Sequence, residues 1–470
     1  MTAMTDTELQ SLLDQQRRAY LADPVPDASR RRAALLTLRR FVLDHREALC
    51  EAIARDYGHR SHHETVLTEI MPVVQEVDHT LKHLRRWMRV QPRAVDRLTF
   101  GWARNEVVPQ PLGVVGVIVP WNFPLNLSLV PLVSILAAGN RAMVKMSEHS
   151  QHLASYLMAH LVPLFGTEQL CVVRETGAVG VAFSRLPFDH LLFTGSTATG
   201  RQVMRAAADN LCPVTLELGG RSPALIDRGF DVALAAERIL YAKCLNAGQI
   251  CTTVDHVYVP REQMAAFVAA ARRIVPQRYP SLDSPDYTSL IHAEAHRRLV
   301  EALQEARDHG AEVIALFDGP ASDAAAHRLA PHLVIDPPDA CVLMQREIFG
   351  PILPVVPYDD WQAVVATIQR GPRPLAIYPF THDAAHLQHV MTHTLSGGVC
   401  VNDAVLHVAQ TDLPFGGVGP SGMGHYHGRE GFDNFSKLRP VFRQSRWSPT
   451  VWIRPPYGAR LKALLRFLLR

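Results

Sequence analysis

The chain has 470 residues, 47% of them apolar and 20% charged, with 48 basic residues against 45 acidic ones for a formal net charge of +3. That composition is globular, and the length exceeds what one core supports, since a single core rarely grows beyond about 250–300 residues. Near-balanced charge without aromatic–basic repeats or zinc-finger spacing excludes a nucleic-acid binder, and seven scattered cysteines with no Cys-x-x-Cys pair exclude a disulfide framework.

Met1 to Gln10 is polar and acidic and lacks the apolar core of a signal peptide, so a cytoplasmic location is expected. From about Ser29 to Arg89, apolar and charged positions alternate at helical spacing, which predicts two or three amphipathic helices on the outside of a domain. A proline-punctuated, strand-like passage, Asn105 to Gln110, follows. Gly113 to Val119 then reads as a fully buried strand of the kind found in parallel sheets. Leu127 to Gly139 is the most apolar long stretch, too short to span a bilayer, and reads as a buried helix. Further buried strands are expected at Ala142–Val144, Leu191–Phe193 and Val214–Leu216, each separated by a helical segment. A second set follows at Ala224–Ile226, Val257–Val259, Glu312–Leu316 and Val355–Val356. This alternation predicts an α/β protein with two doubly wound parallel-sheet domains. Strand-like, glycine-rich segments return from Gly397 to Asn402. The chain ends in a basic amphipathic tail, Arg460 to Arg470, where Leu461, Leu464, Leu465 and Leu468 share one helical face.

Asn246-Ala247-Gly248-Gln249-Ile250-Cys251-Thr252 carries the strongest chemical signal. A cysteine stands after a short apolar step, behind a glycine that lets the backbone turn tightly. A thiolate is a strong nucleophile near neutral pH only where its surroundings lower its pKa. Thirty-four residues upstream, Glu217 sits among apolar residues and glycines in Leu216-Glu217-Leu218-Gly219-Gly220. A nucleophilic cysteine with a lone acid in an apolar setting points to covalent catalysis through a thioester, the acid activating water.

Other segments each support two readings. The turn Phe193 to Gly200 between strand and helix could hold a pyrophosphate on free backbone N–H groups, or be a plain turn. Lys145 and Glu148 follow a strand end where open α/β sheets bind ligands; they could meet ribose hydroxyls, or form a charged loop. Asn122, in the rigid Pro120-Trp121-Asn122-Phe123-Pro124 loop, could aim its amide at an oxyanion or satisfy its own turn. Glu347, in Glu347-Ile348-Phe349-Gly350-Pro351, could bind ribose hydroxyls or cap a loop, and Leu413 to Gly417 suggests a pocket wall. The 23 histidines, His62-His63 and His425-Tyr426-His427 included, show no metal-ligand spacing and read as surface or loop residues, so no metal is expected. Cys244 reads as a buried structural thiol.

Taken in order, Pro120 to Pro124, Phe193 to Ser196, Leu216 to Gly220, Asn246 to Cys251 and Glu347 to Pro351 resemble the NAD(P)-dependent aldehyde dehydrogenases over most of residues 30 to 440. The sequence looks like the class 3 branch. Arg60 to Thr65, Thr68-Glu69-Ile70 and the His83 to Met88 helix look like the bacterial coniferyl aldehyde dehydrogenases. The resemblance implies a cofactor-binding domain over 1–214 with an oligomerisation segment near 100–112, a catalytic domain over 215–395, and a return to the cofactor domain over 396–470. It implies that Cys251 attacks the aldehyde, Asn122 and the Cys251 N–H hold the oxyanion, and Glu217 activates the hydrolytic water. Lys145 and Glu148 would bind the adenosine ribose, Gly195 and Ser196 the pyrophosphate, and Glu347 with Phe349 the nicotinamide ribose and ring. NAD is the expected cofactor, NADP being possible, because Glu148 would repel a 2′-phosphate. The expected substrate is a medium or large hydrophobic aldehyde such as coniferyl aldehyde. A homodimer is expected, with the tail packed on the chain's own surface or on a partner subunit in preference to a membrane. Departures from the family pattern at Met146, Arg221 and Ile250 touch substrate range and cofactor geometry. The alternatives are a coenzyme-A-acylating relative and a catalytically silent binding protein on the same fold.

Overall fold

A computed structural model describes residues 4–317 and 319–469. The chain opens on a helix, Asp6–Ala22, that the sequence reading passed over. Its start carries a capping box in which Thr5 and Glu8 satisfy each other's backbone N–H groups. Leu9 and Leu13 bury themselves against the first sheet, and Gln16 donates to the Ala142 and Thr167 carbonyls. Helices Ala28–Asp44, Arg46–Tyr57 and Met71–Trp87 realise the expected amphipathic layer. Between the last two lies a π-helical turn, Val66–Ile70. Pro72 has no N–H to give the Thr68 carbonyl, and the Asn126 amide fills that acceptor at 2.8 Å, which lets the helix widen there.

The strands in chain order are β1 Gln91–Arg93, β2 Arg104–Pro111, β3 Val114–Ile118, β4 Arg141–Lys145, β5 Leu170–Val173, β6 His190–Gly195, β7 Val214–Leu218, β8 Pro223–Ile226, β9 His256–Pro260, β10 Glu312–Ala315, β11 Ser322–Asp323, β12 Arg328–Leu329, β13 His332–Ile335, β14 Ile352–Tyr358, β15 Ala376–Phe380, β16 Gly398–Val399, β17 Gly422–Met423 and β18 Ser436–Arg443. The first sheet runs β17-β7-β6-β3-β4-β5, parallel except for β17. The second runs β10-β13-β14-β9-β8-β15-β16, parallel except for β10. Helix Asn126–Ala138, buried along nearly its whole length, crosses from β3 to β4 as expected.

In the first sheet the chain proceeds from β3 outward through β4 and β5, then returns to β6 on the other side of β3. That reversal puts a ligand crevice at the carboxyl ends of β3 and β6, where the loops from Pro120 and Gly195 leave the sheet.

The sheets move two of the expected domain boundaries. β7 pairs with β6, so residues 215–218 belong to the first sheet and the crossing falls at Gly219-Gly220, not at 214/215. β16 pairs with β15, so the return comes after Val399 instead of at 396. The segment near 100–112 is β2, the middle strand of a separate antiparallel sheet, β1-β2-β18, in which β2 and β18 pair along eight positions from Ser436–Pro111 to Arg443–Arg104.

The tail forms a helix, Ala459–Leu468, none of whose residues is buried. Leu461 and Leu464 on its apolar face are half-buried, and the helix touches the turn Pro449–Ile453 of its own chain; Arg470 lies outside the described residues. No helix among the described residues is long and apolar enough to cross a membrane.

Candidate active site

Helix Val232–Cys244 stops abruptly, and the chain turns through Asn246, Ala247 and Gly248, all with positive φ (50°, 50° and 72°). Two of these are not glycine, so the turn stores backbone strain that its surroundings must hold. At Gly248 a Cβ would lie 2.3 Å from the Gly350 carbonyl oxygen, so only glycine lets this turn seat against the loop carrying Glu347 and Phe349. Asn246 is buried; its amide donates to the Asn122 and Gln249 carbonyls at 3.1 Å each and to the Tyr57 hydroxyl at 3.3 Å. Gln249 spans onward, donating to the Ser289 carbonyl and accepting from the Ile291 N–H. The Asn122 amide donates to the Gln249 carbonyl at 3.3 Å, which places Asn122 against the cysteine turn. Cys251 itself stays partly exposed.

A buried ion pair from the N-terminal helices supports both loops, and sequence reasoning gave it no structural role. Arg60 donates to Glu69 Oε1 at 2.7 Å and to the Asn122 carbonyl at 3.2 Å. Glu69 Oε2 accepts from the Leu125 and Asn126 N–H groups, both at 2.8 Å. Glu64, one turn before, accepts from the Asn246 N–H and, at 2.6 Å, from the Thr288 hydroxyl. Both side chains of the Arg60–Glu69 pair are fully buried. Breaking such a pair from one side strands a charge, which costs about 3–5 kcal/mol. Arg60→Met is expected to lower the urea unfolding midpoint accordingly and to slow turnover by loosening Asn122; an unchanged midpoint would show that the pair holds nothing.

Glu217 lies in β7, buried, with no hydrogen-bond partner for either carboxylate oxygen among the described residues. Burial pushes its pKa well above the usual carboxylate range. Glu347 is pushed up to about 8, by burial first and Asp255 second, and its Oε1 also lacks a partner among the described residues. It lies across Gly219, where a Cβ would come within 2.1 Å of Oε2. The Cys251 thiol is pushed up to about 12 by burial and by the Glu347 and Glu217 carboxyls, against which the Cys251 and Thr252 N–H groups act. This departs from the expectation that a nucleophilic cysteine sits where its pKa is lowered. At neutral pH the group is a thiol.

Lys145 ends β4 with its ammonium bonded to Glu175 Oε2 at 2.7 Å. Glu175 also accepts from the Gly177, Val179 and Gly180 N–H groups, so the lysine is held, not swinging in a charged loop. Glu148 is exposed, and its carboxylate accepts from the Ser147 hydroxyl. Gly195 ends β6, and Ser196 caps helix Thr197–Ala208, its hydroxyl accepting from the Thr199 N–H at 3.2 Å. Phe349, with φ at 51°, meets Trp121 edge-on at 5.4 Å between ring centres. Arg221, one of the departures, pairs with buried Asp255 at 3.0 Å.

Cys251 opens onto an apolar cavity of about 230 Å³, whose walls include Met71, Phe123, Ile250, Val405 and Phe415. Phe415 belongs to the expected wall segment. His427 and Tyr426 also line the cavity, His427 from the loop just before helix Gly428–Asn434, in keeping with the surface-or-loop reading. Burial holds its pKa down at about 4, and its ring stacks on Phe415 at 5.4 Å. Glu76, which accepts from the Gly428 N–H and is pushed up to about 7 by burial, is another cavity residue the sequence did not single out. Its one visible signal was a carboxylate on the apolar side of an amphipathic helix.

Known proteins resemble this chain along nearly its whole length. The model of the aldehyde dehydrogenase family matches residues 2–441. A probable coniferyl aldehyde dehydrogenase of Pseudomonas aeruginosa is 49% identical over 459 residues, covering 97% of this chain and 95% of the relative. A coniferyl aldehyde dehydrogenase of a Pseudomonas species is 42% identical over 468 residues, covering 98% and 96%. The solved structure of Staphylococcus aureus AldH in a substrate-bound state is 30% identical, with a TM-score of 0.92, covering 98% of this chain and 99% of that one. With a match along nearly its whole length, this chain belongs to the aldehyde dehydrogenase family.

Proposed function

We propose that the protein oxidises a medium or large hydrophobic aldehyde, of the aryl-propenal kind such as coniferyl aldehyde, to its carboxylic acid with NAD. The observation that carries this reading is Cys251 on the wall of an apolar cavity, within electrostatic range of a buried carboxyl, Glu217, that has no other partner among the described residues. Two relatives named for coniferyl aldehyde support the substrate class.

The residues fit a dinucleotide. Helix Thr197–Ala208 begins just beyond Gly195 at the sheet's reversal point, where its first N–H groups suit a pyrophosphate. Glu347 offers a buried oxygen without a partner. Lys145 gives one of its three donors to Glu175 and retains others for a ribose hydroxyl. Several solved structures of similar fold are complexes with NAD. The dinucleotide would supply a hydride acceptor, and Glu347 and Phe349 are the residues that would hold its nicotinamide end.

The side chains would divide the work as follows. Cys251 Sγ passes its proton to solvent water and bonds to the aldehyde carbon as the C=O electron pair moves onto oxygen. The Asn122 amide and the Cys251 N–H stabilise the oxygen that gains charge. After oxidation the acyl group remains on Sγ as a thioester. Glu217 then takes a proton from water as the water attacks, the S–C bond breaks, and the acid leaves. Glu217 favours water over coenzyme A as acyl acceptor, and equal product formation with and without coenzyme A would agree.

An aldehyde panel followed by NADH formation tests the reading. Cinnamaldehyde-type substrates are expected to exceed acetaldehyde in kcat/KM by about tenfold or more, given what each buried methylene-sized group contributes. Preference for acetaldehyde would overturn the substrate class, and no NAD reduction by any aldehyde would revive a silent binding protein. With the preferred aldehyde, NAD should exceed NADP, because Glu148 repels a 2′-phosphate.

The reading extends to a cytoplasmic homodimer. Its support is seven free cysteines and a tail helix that leaves Leu465, Phe467 and Leu468 exposed. A chain ending at Trp447 is expected to shift toward monomer by light scattering. If it stays dimeric but no longer sediments with anionic vesicles, the tail serves a membrane surface instead.

A further inference from the structure

Away from the catalytic cavity, one group of side chains combines three metal-binding chemistries. Glu305 lies in the last turn of helix Ala293–Asp308, and His309 stands just beyond that turn. Cys341 stands just before the short helix Val342–Gln345. A carboxylate oxygen, an imidazole nitrogen and a sulfur from these residues all lie within 4.8 Å of one another. The spacing from 305 to 309 puts the first two on one helical face. Glu305 is already fixed in place, its two oxygens accepting from the Val342 N–H at 3.1 Å each. His309 Nδ1 lies 2.9 Å from the Glu305 carbonyl oxygen and 3.9 Å from Glu305 Oε1, which sets the imidazole beside the carboxylate, while neither contact involves the Cys341 thiol that converges on both.

Burial grades across the group. Cys341 is buried, Glu305 partly so, and His309 exposed, which leaves an entry path and room for water on the imidazole side. A mixed sulfur, nitrogen and oxygen set with three protein ligands suits tetrahedral Zn²⁺. Mg²⁺ and Ca²⁺ prefer all-oxygen shells of six or more ligands. We propose that Glu305, His309 and Cys341 form a binding site for a thiophilic divalent cation of the Zn²⁺ class, with water as fourth ligand. On binding, the S–H bond of Cys341 breaks, its proton passes to solvent, and a metal–sulfur bond forms; no electrons change hands. The cation joins helix Ala293–Asp308 to helix Val342–Gln345, two residues before Glu347, and so ties down the segment that carries Glu347 and Phe349.

The test uses the full chain carrying Cys251→Ala, which removes the catalytic thiol as a competing ligand. Co²⁺ serves as the spectroscopic probe, and Zn²⁺ is titrated against a chromophoric chelator. One equivalent of Co²⁺ is expected to give a thiolate-to-cobalt charge-transfer band that Zn²⁺ abolishes. His309→Ala, at an exposed position, should weaken Zn²⁺ binding by about tenfold or more while leaving the melting temperature of the metal-free protein unchanged. Cys341→Ser should remove the band. A band that survives in Cys341→Ser would overturn the proposal. So would a cobalt signal without thiolate character, as the neighbouring pair His389 and His393 would give. Mg²⁺ matching Zn²⁺ in the same competition would also overturn it.

Discussion

Cys251→Ala is expected to lower aldehyde oxidation by about 10⁴-fold or more, as removal of a catalytic nucleophile does. Among the described residues, Cys251 is the one cysteine that lines the cavity. Cys244 is buried at the end of the preceding helix, facing the second core, and Cys400 lies beyond β16. Dinucleotide binding, followed by protein fluorescence, should persist, since the strand ends and helix start that fit the cofactor do not involve the sulfur. The pH profile carries the same signature in the unaltered protein. The thiol is pushed up to about 12, so thiolate is the minor form throughout the neutral range. Single-turnover NADH formation should therefore rise with pH, by about tenfold per unit where deprotonation limits the rate. A rate that falls from pH 7 to 9, or full turnover in Cys251→Ala, would remove Cys251 from the mechanism.

Glu217→Gln is expected to separate the two halves of the reaction. A burst of NADH near one equivalent per active site should survive, followed by steady-state turnover slowed by about 10²–10⁴-fold, the usual contribution of a general base. Stability should respond in the opposite sense. The folded-state pKa of Glu217 is raised above its unfolded value, so its contribution is full below about pH 4.5 and is lost as pH rises toward the folded value. Glutamine removes that loss, and the variant should melt no lower than the parent at neutral pH. Disappearance of the burst would assign Glu217 to the first half-reaction, and a large fall in melting temperature would make its role structural.

What the sequence disclosed, and what it withheld, follows the range of the interactions. The segments around Asn122, Gly195, Glu217, Cys251 and Glu347 were legible because rigid or strained turns need glycine and proline, and those residues mark themselves. Strands β3, β6 and β7 announced themselves as apolar runs. β5, β13 and β15 did not, because four- or five-residue apolar runs look alike in helix and strand, and Pro379 breaks the last of them. The helix Asp6–Ala22 carried a readable signal in Thr5 and Glu8 that its polar surroundings obscured. Contacts between distant residues left no trace at all. Glu64 meets Asn246 across 182 positions, and Lys145 meets Glu175 only because β4 and β5 are neighbours. The raised thiol of Cys251 has the same origin, since it comes first from burial and then from two carboxyls delivered by another strand and another loop.

The reach of Arg60, Glu64 and Glu69 into both catalytic loops bears on recombination within this family. A gene chimera with its crossover between residues 70 and 120 would take the helical layer from one parent and the loops of Asn122 and Asn246 from the other. Such a product could retain every residue that touches the aldehyde and still be inert, because the loops would meet a layer that evolved against different partners. Productive crossovers should instead fall where few side chains reach across. Exchange of substrate range between relatives then requires moving residues 60 to 69 together with both loops, as one inherited block.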